Sequence, residues 1–140
     1  MEQIRQPKPR PPVTRKPSTK RLARQIANYV IEKKAYDVLI MDLRKLTSMT
    51  DFFVLCSADS GIQVKAIVDN VEEKMKKRRI RAWHREGYQN LKWVLLDYVD
   101  VVVHVFHKDT REFYSLESLW GDAKTEAIPD DEDSPLEKSP

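Results

Sequence analysis

Apolar residues recur along the chain at two periods, and the switches between them mark out the elements. From Thr19 to about Lys34, the residues Leu22, Ile26, Tyr29, Val30 and Lys33 follow helical spacing, with Ala23 and Ala27 beside the stripe. This predicts a first helix that Thr19 can cap. Val38–Leu43 (VLIMDL) and Asp51–Cys56 (DFFVLC) read as strands joined by a loop over Lys45–Thr50. In the second of these, Phe53 and Leu55 take one face and Phe52 and Val54 the other. A turn over Ser57–Gly61 follows, in which Asp59 or Ser60 can cap a second helix. Val64, Val68, Val71 and Met75 form its stripe and Ile67 widens it, out to about Arg79. Ile80–Arg85 is predicted as an edge strand, and Glu86-Gly87 as a turn.

The block from Lys92 to Trp120 is the organising stretch. Trp93–Asp97 (WVLLD) and Val101–Phe106 (VVVHVF) are β-branched and aromatic runs bounded by polar residues, with Asp97-Tyr98-Val99-Asp100 as the hairpin turn between them. Alternation puts Val94 and Leu96 opposite Trp93 and Leu95, and sets Val101, Val103 and Val105 against Val102, His104 and Phe106. Neither face is polar throughout, so these strands belong in the middle of a sheet covered on both sides, or one face meets another protein. Asp109-Thr110-Arg111-Glu112 resembles a capping box, and Phe113, Leu116 and Trp120 continue at helical spacing until Gly121. The order α-β-β-α-β-β-β-α predicts an α/β fold: a single domain with one mixed five-stranded sheet flanked by helices.

The ends carry a different composition. Residues 1–18 hold Pro7, Pro9, Pro11, Pro12 and Pro17 among Arg5, Lys8, Arg10, Arg15 and Lys16, and are expected to form a disordered basic arm. Residues 124–140 contain Asp130, Asp131, Glu132 and Asp133 between prolines and are expected to be a disordered acidic tail. The folded domain is then 19–123, an ordinary size for a domain. The net charge of +3 over 140 residues therefore understates both ends. The arm can neutralise phosphates or serve as a solvated leader. Its prolines argue against a presequence helix, so an organellar address is disfavoured. Lys74, Lys76, Lys77, Arg78, Arg79 and Arg81 load the end of the second helix, which either complements the helix dipole or contacts phosphate. No apolar run reaches the ~20 residues that a bilayer span needs, and no secretory h-region is apparent.

The search for reactive groups finds no assembled set. Three glycines, Gly61, Gly87 and Gly121, leave no phosphate loop or dinucleotide turn. His104 and His107 lie three apart on a strand and so point to opposite faces, which suits a packed or interface histidine better than a shared metal. Cys56, the one cysteine, ends an apolar strand and reads as a buried small hydrophobe. Asp97 and Asp100 are explained by the turn, and Asp51 by the strand it opens. Neither catalytic residues nor a metal or cofactor is expected.

Several segments, in order, resemble the ribosomal silencing factor S family, also called Iojap-like. They are Ser48-Met49-Thr50-Asp51-Phe52-Phe53-Val54, Gln63-Val64-Lys65-Ala66-Ile67 with Asp69, Glu86-Gly87, Trp93–Asp97, Asp100–Phe106, and Arg111-Glu112-Phe113-Tyr114 leading into Leu116-Glu117-Ser118-Leu119-Trp120. The match covers about Leu22 to Ala123. It departs at Val99, where the family commonly has glycine, and at Ile62, where it commonly has arginine. The resemblance implies a nucleotidyltransferase-like topology without the catalytic motif. It implies a binding protein that attaches to ribosomal protein L fourteen on the large subunit, blocks small-subunit joining and represses translation in the bacterial cytoplasm. A part in large-subunit biogenesis and a nucleotidyltransferase-type enzyme are the alternatives, and the second would need Asp51, Asp97 or Asp100. Candidate partner contacts are Trp93, Leu95, His104, Phe106, Arg111, Tyr114 and Trp120, with Asp100 at the rim. Phe106 and Trp120 also fit the apolar stripes of a core. The arm could add an rRNA contact, and the hairpin's apolar faces could pair in a homodimer.

Overall fold

A computed structural model describes residues 9–114 and 116–129. The elements are α1 (Thr19–Ile31), β1 (Tyr36–Asp42), β2 (Phe52–Ala58), α2 (Gly61–Lys77), β3 (His84–Glu86), β4 (Trp93–Asp97), β5 (Val101–His107), α3 (Lys108–Tyr114), α4 (Leu116–Leu119) and β6 (Lys124–Ile128). The strands form one mixed sheet in the order β3-β4-β5-β2-β1-β6. β2 and β5 run parallel at its centre, with Leu55 beside His104, and the other pairings are antiparallel. The α/β class and the central place of the hairpin strands are as expected.

α1 and α2 cover one face. Ile26 and Val30 of α1 and Val64, Ile67, Val68, Val71 and Met75 of α2 pack on Val54, Val94, Leu96, Val101, Val103 and Val105, all buried. Burying a side chain of this size contributes about 1.5–3 kcal/mol, so this layer supplies most of the drive to fold. Ala23 and Ala27 are fully buried, and their small size lets α1 lie close to the sheet. The buried Asn70 amide donates to the Tyr29 carbonyl at 2.9 Å and to Glu32 at 2.8 Å, fastening α2 to the end of α1.

The second face is covered only in part. Met41, Leu43, Leu55 and Phe106 form a smaller cluster with Leu116 of α4, and Leu39, Phe53, Trp93, Trp120 and Ala123 close around it.

Four expectations change. Among the described residues the sheet has six strands rather than five. The sixth, Lys124–Ile128, lies within the stretch expected to be tail and pairs antiparallel with β1 from Val38↔Ile128 to Asp42↔Lys124. Its sequence, KTEAI, carries little apolar alternation because the backbone row of β1, rather than burial, holds it. Second, α1 stops at Ile31 because Lys34 turns left-handed (φ 67°), with the Ala35 amide donating to the Val30 carbonyl at 3.2 Å. Third, α2 closes the same way: Arg79 has φ 63°, and the amide of Ile80 donates to Met75 at 2.9 Å. That closure uses up the start of the predicted Ile80–Arg85 strand, so β3 begins at His84. Fourth, residues 9–18 lie against the end of the sheet through side-chain contacts, although no helix or strand forms in them before Thr19.

Candidate partner-binding site

The side chains of the second face form a row set by strand alternation. On β4, Trp93, Leu95 and Asp97 point this way, and on β5 Val102, His104 and Phe106 do so, with Trp93 paired to Phe106 and Leu95 to His104. Phe53 of β2 lies opposite Val102. The Trp93 indole stacks on Phe106 with centroids 5.1 Å apart, and its Nε1–H donates to His104 Nδ1 at 3.1 Å. An indole N–H can only donate, so His104 accepts at Nδ1 and carries its proton on Nε2. Phe53 meets the His104 ring edge-on at 4.5 Å, and Trp120 meets Phe53 at 6.0 Å. Burial pushes the His104 imidazole down to about 3, with a weaker opposing pull from Asp97, so the ring stays neutral at any ordinary pH.

α3 and α4 leave the middle of this row open. A pocket of about 190 Å³ remains there, walled by Leu43, Met49, Phe53, Leu95, Val102 and Trp120. Its polar margin is Asp97, Arg10, Thr47 and Thr50, and His104 also lines it. Met49 stands 65% exposed at the lip.

Carboxylates gather at the hairpin end of the pocket. Asp97 and Asp51 are buried and Asp100 is half-buried. The Asp51 amide donates to the Asp100 carbonyl at 3.0 Å. Burial, the largest influence, raises the Asp51 carboxyl, while Arg15 counters it. Arg15 Nη1 reaches Asp51 Oδ1 at 2.6 Å as an ion pair. Arg10 and Thr14 hold Asp97 and Asp100. Among the described residues, no group of three or more His, Cys, Asp or Glu side chains is arranged to hold a metal. Cys56 is fully buried, and burial pushes its thiol up to about 12, so it is a packing residue.

The structure brings most of the expected residues together, at different depths. Trp93, Leu95 and Trp120 are half-buried and line one face. His104 and Phe106 lie under them, 3% and 0% exposed, and so position the surface residues rather than present themselves. Asp100 sits at the hairpin end, bonded to Thr14. Arg111 lies at the other end of the strands, donating to Ser57 Oγ at 3.0 Å and to the Asp37 carbonyl, and is not part of the pocket. The side chain of Tyr114 lies outside the described residues. Met49, Phe53, Val102 and Asp97 complete the pocket without having been singled out as contacts. Met49 and Phe53 belong to the Ser48–Val54 motif, but a motif does not tell an exposed apolar residue from a buried one. Arg10 could not be placed because its partner Asp97 lies 87 residues away.

Comparison with known proteins agrees with this arrangement. The family described as "Ribosomal silencing factor during starvation" matches residues 16–140. The chain is 42% identical over 108 residues to the "Ribosomal silencing factor RsfS" of Halalkalibacterium halodurans, covering 77% of this chain and 92% of that protein. It is 42% identical over 92 residues to the protein of that name from Bacillus subtilis, covering 66% and 78%. A crystal structure of a Bacillus halodurans protein superposes with a TM-score of 0.69 at 38% identity, covering 78% of this chain and 99% of that one. The two curated relatives are named as silencing factors, not as enzymes. A hairpin-centred mixed sheet, an open apolar face and this extent of similarity together show that the chain belongs to the ribosomal silencing factor family.

Proposed function

We propose that the chain represses translation by occupancy. It binds ribosomal protein L fourteen on the intersubunit side of the large ribosomal subunit and thereby keeps the small subunit from joining. The observation that carries this reading is the open pocket on a partly covered sheet face, with Leu95, Trp120 and Met49 lining it and half-buried Trp93 on the same face beside it. An aromatic and aliphatic cluster over a rigid layer is the composition of an interface anchor. The carboxylates at the hairpin end, Asp97 in the pocket lining and Asp100 beyond it, suit a basic ribosomal surface. Steric exclusion needs no reacting group, only a footprint that overlaps that of the small subunit. The reading places the protein where large subunits are, in the bacterial cytoplasm.

Competition tests it. Purified small subunits are titrated into large subunits saturated with this protein, and the bound protein and joined particles are resolved on gradients. Mutually exclusive occupancy is expected. A stable particle containing both subunits and this protein would refute the mechanism.

A further inference from the structure

The contacts of residues 10–15 converge on the carboxylates at the hairpin end of the sheet, of which Asp97 lines the pocket. Arg10 forks onto Asp97, with Nε 2.9 Å from Oδ2 and Nη2 3.0 Å from Oδ1. The same Nη2 donates to the Val99 carbonyl at 2.7 Å, and Nη1 donates to the Met49 carbonyl. Thr14 engages Asp100 twice, its amide donating at 2.7 Å and its hydroxyl at 2.6 Å. Arg15 pairs with Asp51 and donates to the Thr47 carbonyl at 2.8 Å. Arg10 is itself part of the pocket lining.

We propose that the arm is a competitor in cis for the partner-binding face. Docked, it withholds Asp97 and Asp100 and narrows the pocket, and a partner must peel it away before seating. This rests on the reading that the face binds the large subunit. The prolines at 9, 11, 12 and 17 keep the segment extended, so laying it along the hairpin end costs little further chain entropy. The guanidinium fork matches the Asp97 carboxylate in a way that a lysine cannot. The contacts are also reversible. The Thr14–Asp100 bonds are exposed, and the Arg10–Asp97 pair is part-buried, with 22% and 11% of its side chains exposed, so water reaches its edge. An arm docked most of the time lowers apparent affinity by the fraction of molecules in which it is undocked. The docked arm also uses Arg10 and Arg15 internally, which removes two of the charges that would otherwise contact rRNA.

The test compares the full-length chain with its Arg10→Ala/Thr14→Ala double variant. Affinity for isolated large subunits is measured at two salt concentrations, and amide exchange of residue 14 is followed in the free protein. In the wild type the Thr14 amide donates to the Asp100 carboxylate, so its exchange reports docking directly. The wild-type amide is expected to exchange about tenfold more slowly than the variant's, as the same docked fraction requires. The variant is expected to bind about tenfold more tightly at low salt, as freeing an arm docked about nine-tenths of the time requires. The gain should shrink as salt screens the ion pairs. A variant whose amide is released but which binds equally or more weakly would overturn the proposal, since the arm would then be a bystander or part of the contact. A fast-exchanging wild-type amide would also overturn it. Failure of both proteins to bind large subunits would remove the reading it rests on, while the exchange data would still show whether the arm docks.

Discussion

At the residue scale, His104 shows how a polar group is built into an apolar face. Its Nδ1 accepts from Trp93, and its buried Nε2 has no hydrogen-bond partner among the described residues. Its folded pKa of about 3 lies below the ordinary value of 6.5, so the unfolded chain takes up a proton that the folded chain refuses. Stability is therefore unaffected by this group above pH 6.5 and falls as pH drops from 6.5 toward 3, by about 1.4 kcal/mol per unit. Urea unfolding at pH 6.5 and pH 5 should differ by about 2 kcal/mol from this source. The His104→Gln variant should show a flatter profile, and equal slopes in the two proteins would contradict the assignment. Val99 offers a second test. It holds φ 72°, which a β-branched residue adopts only under strain. Val99→Gly is expected to raise unfolding stability by about 1 kcal/mol, read from the denaturant midpoint. The alternation of β4 and β5 made Trp93, Leu95, His104 and Phe106 legible as one face. Their depths were not legible, because they depend on how far α3 and α4 reach across that face.

At the element scale, the position of Trp93 depends on Gly87. With φ 83°, Gly87 packs so closely on the start of β4 that an added Cβ would lie 2.0 Å from the Trp93 carbonyl oxygen. Since that neighbour is backbone, Gly87→Ala is expected to cost at least about 2 kcal/mol and to displace Trp93 from its stack on Phe106. Thermal unfolding gives the first effect, and indole fluorescence of a Trp83→Phe/Trp120→Phe background gives the second. A wild-type melting curve would contradict this account. Elements driven by burial were readable from the sequence: α1, α2, β2, β4 and β5 all carry a clear apolar period. β6 was missed because β1 holds it through the backbone ladder. The docking of residues 10–15 was missed because it depends on Arg10 meeting Asp97 and Thr14 meeting Asp100 across most of the chain. Proline and positive charge alone read as disorder.

At the scale of the whole molecule, the fold works as a plate. Two helices seal one side, and the other side is sealed only in part. Both edges of the sheet carry charge, since β3 (His84–Glu86) is short, exposed and charged and β6 presents Lys124 together with Glu126, the latter bonded to Arg24 of α1. That leaves the partly open face as the best surface for a partner. Among the described residues no helix is long and apolar enough to cross a membrane. The claim on which the account turns is that this face binds the large subunit through ribosomal protein L fourteen. The most direct measurement is co-sedimentation of the wild type and Trp93→Ala with large subunits prepared with and without that protein. Trp93→Ala should remain folded by circular dichroism and should bind at least tenfold more weakly, as loss of a central aromatic anchor predicts. Wild-type binding should disappear when L fourteen is absent. Undiminished wild-type binding to subunits lacking L fourteen, or wild-type affinity in a folded Trp93→Ala variant, would contradict the account.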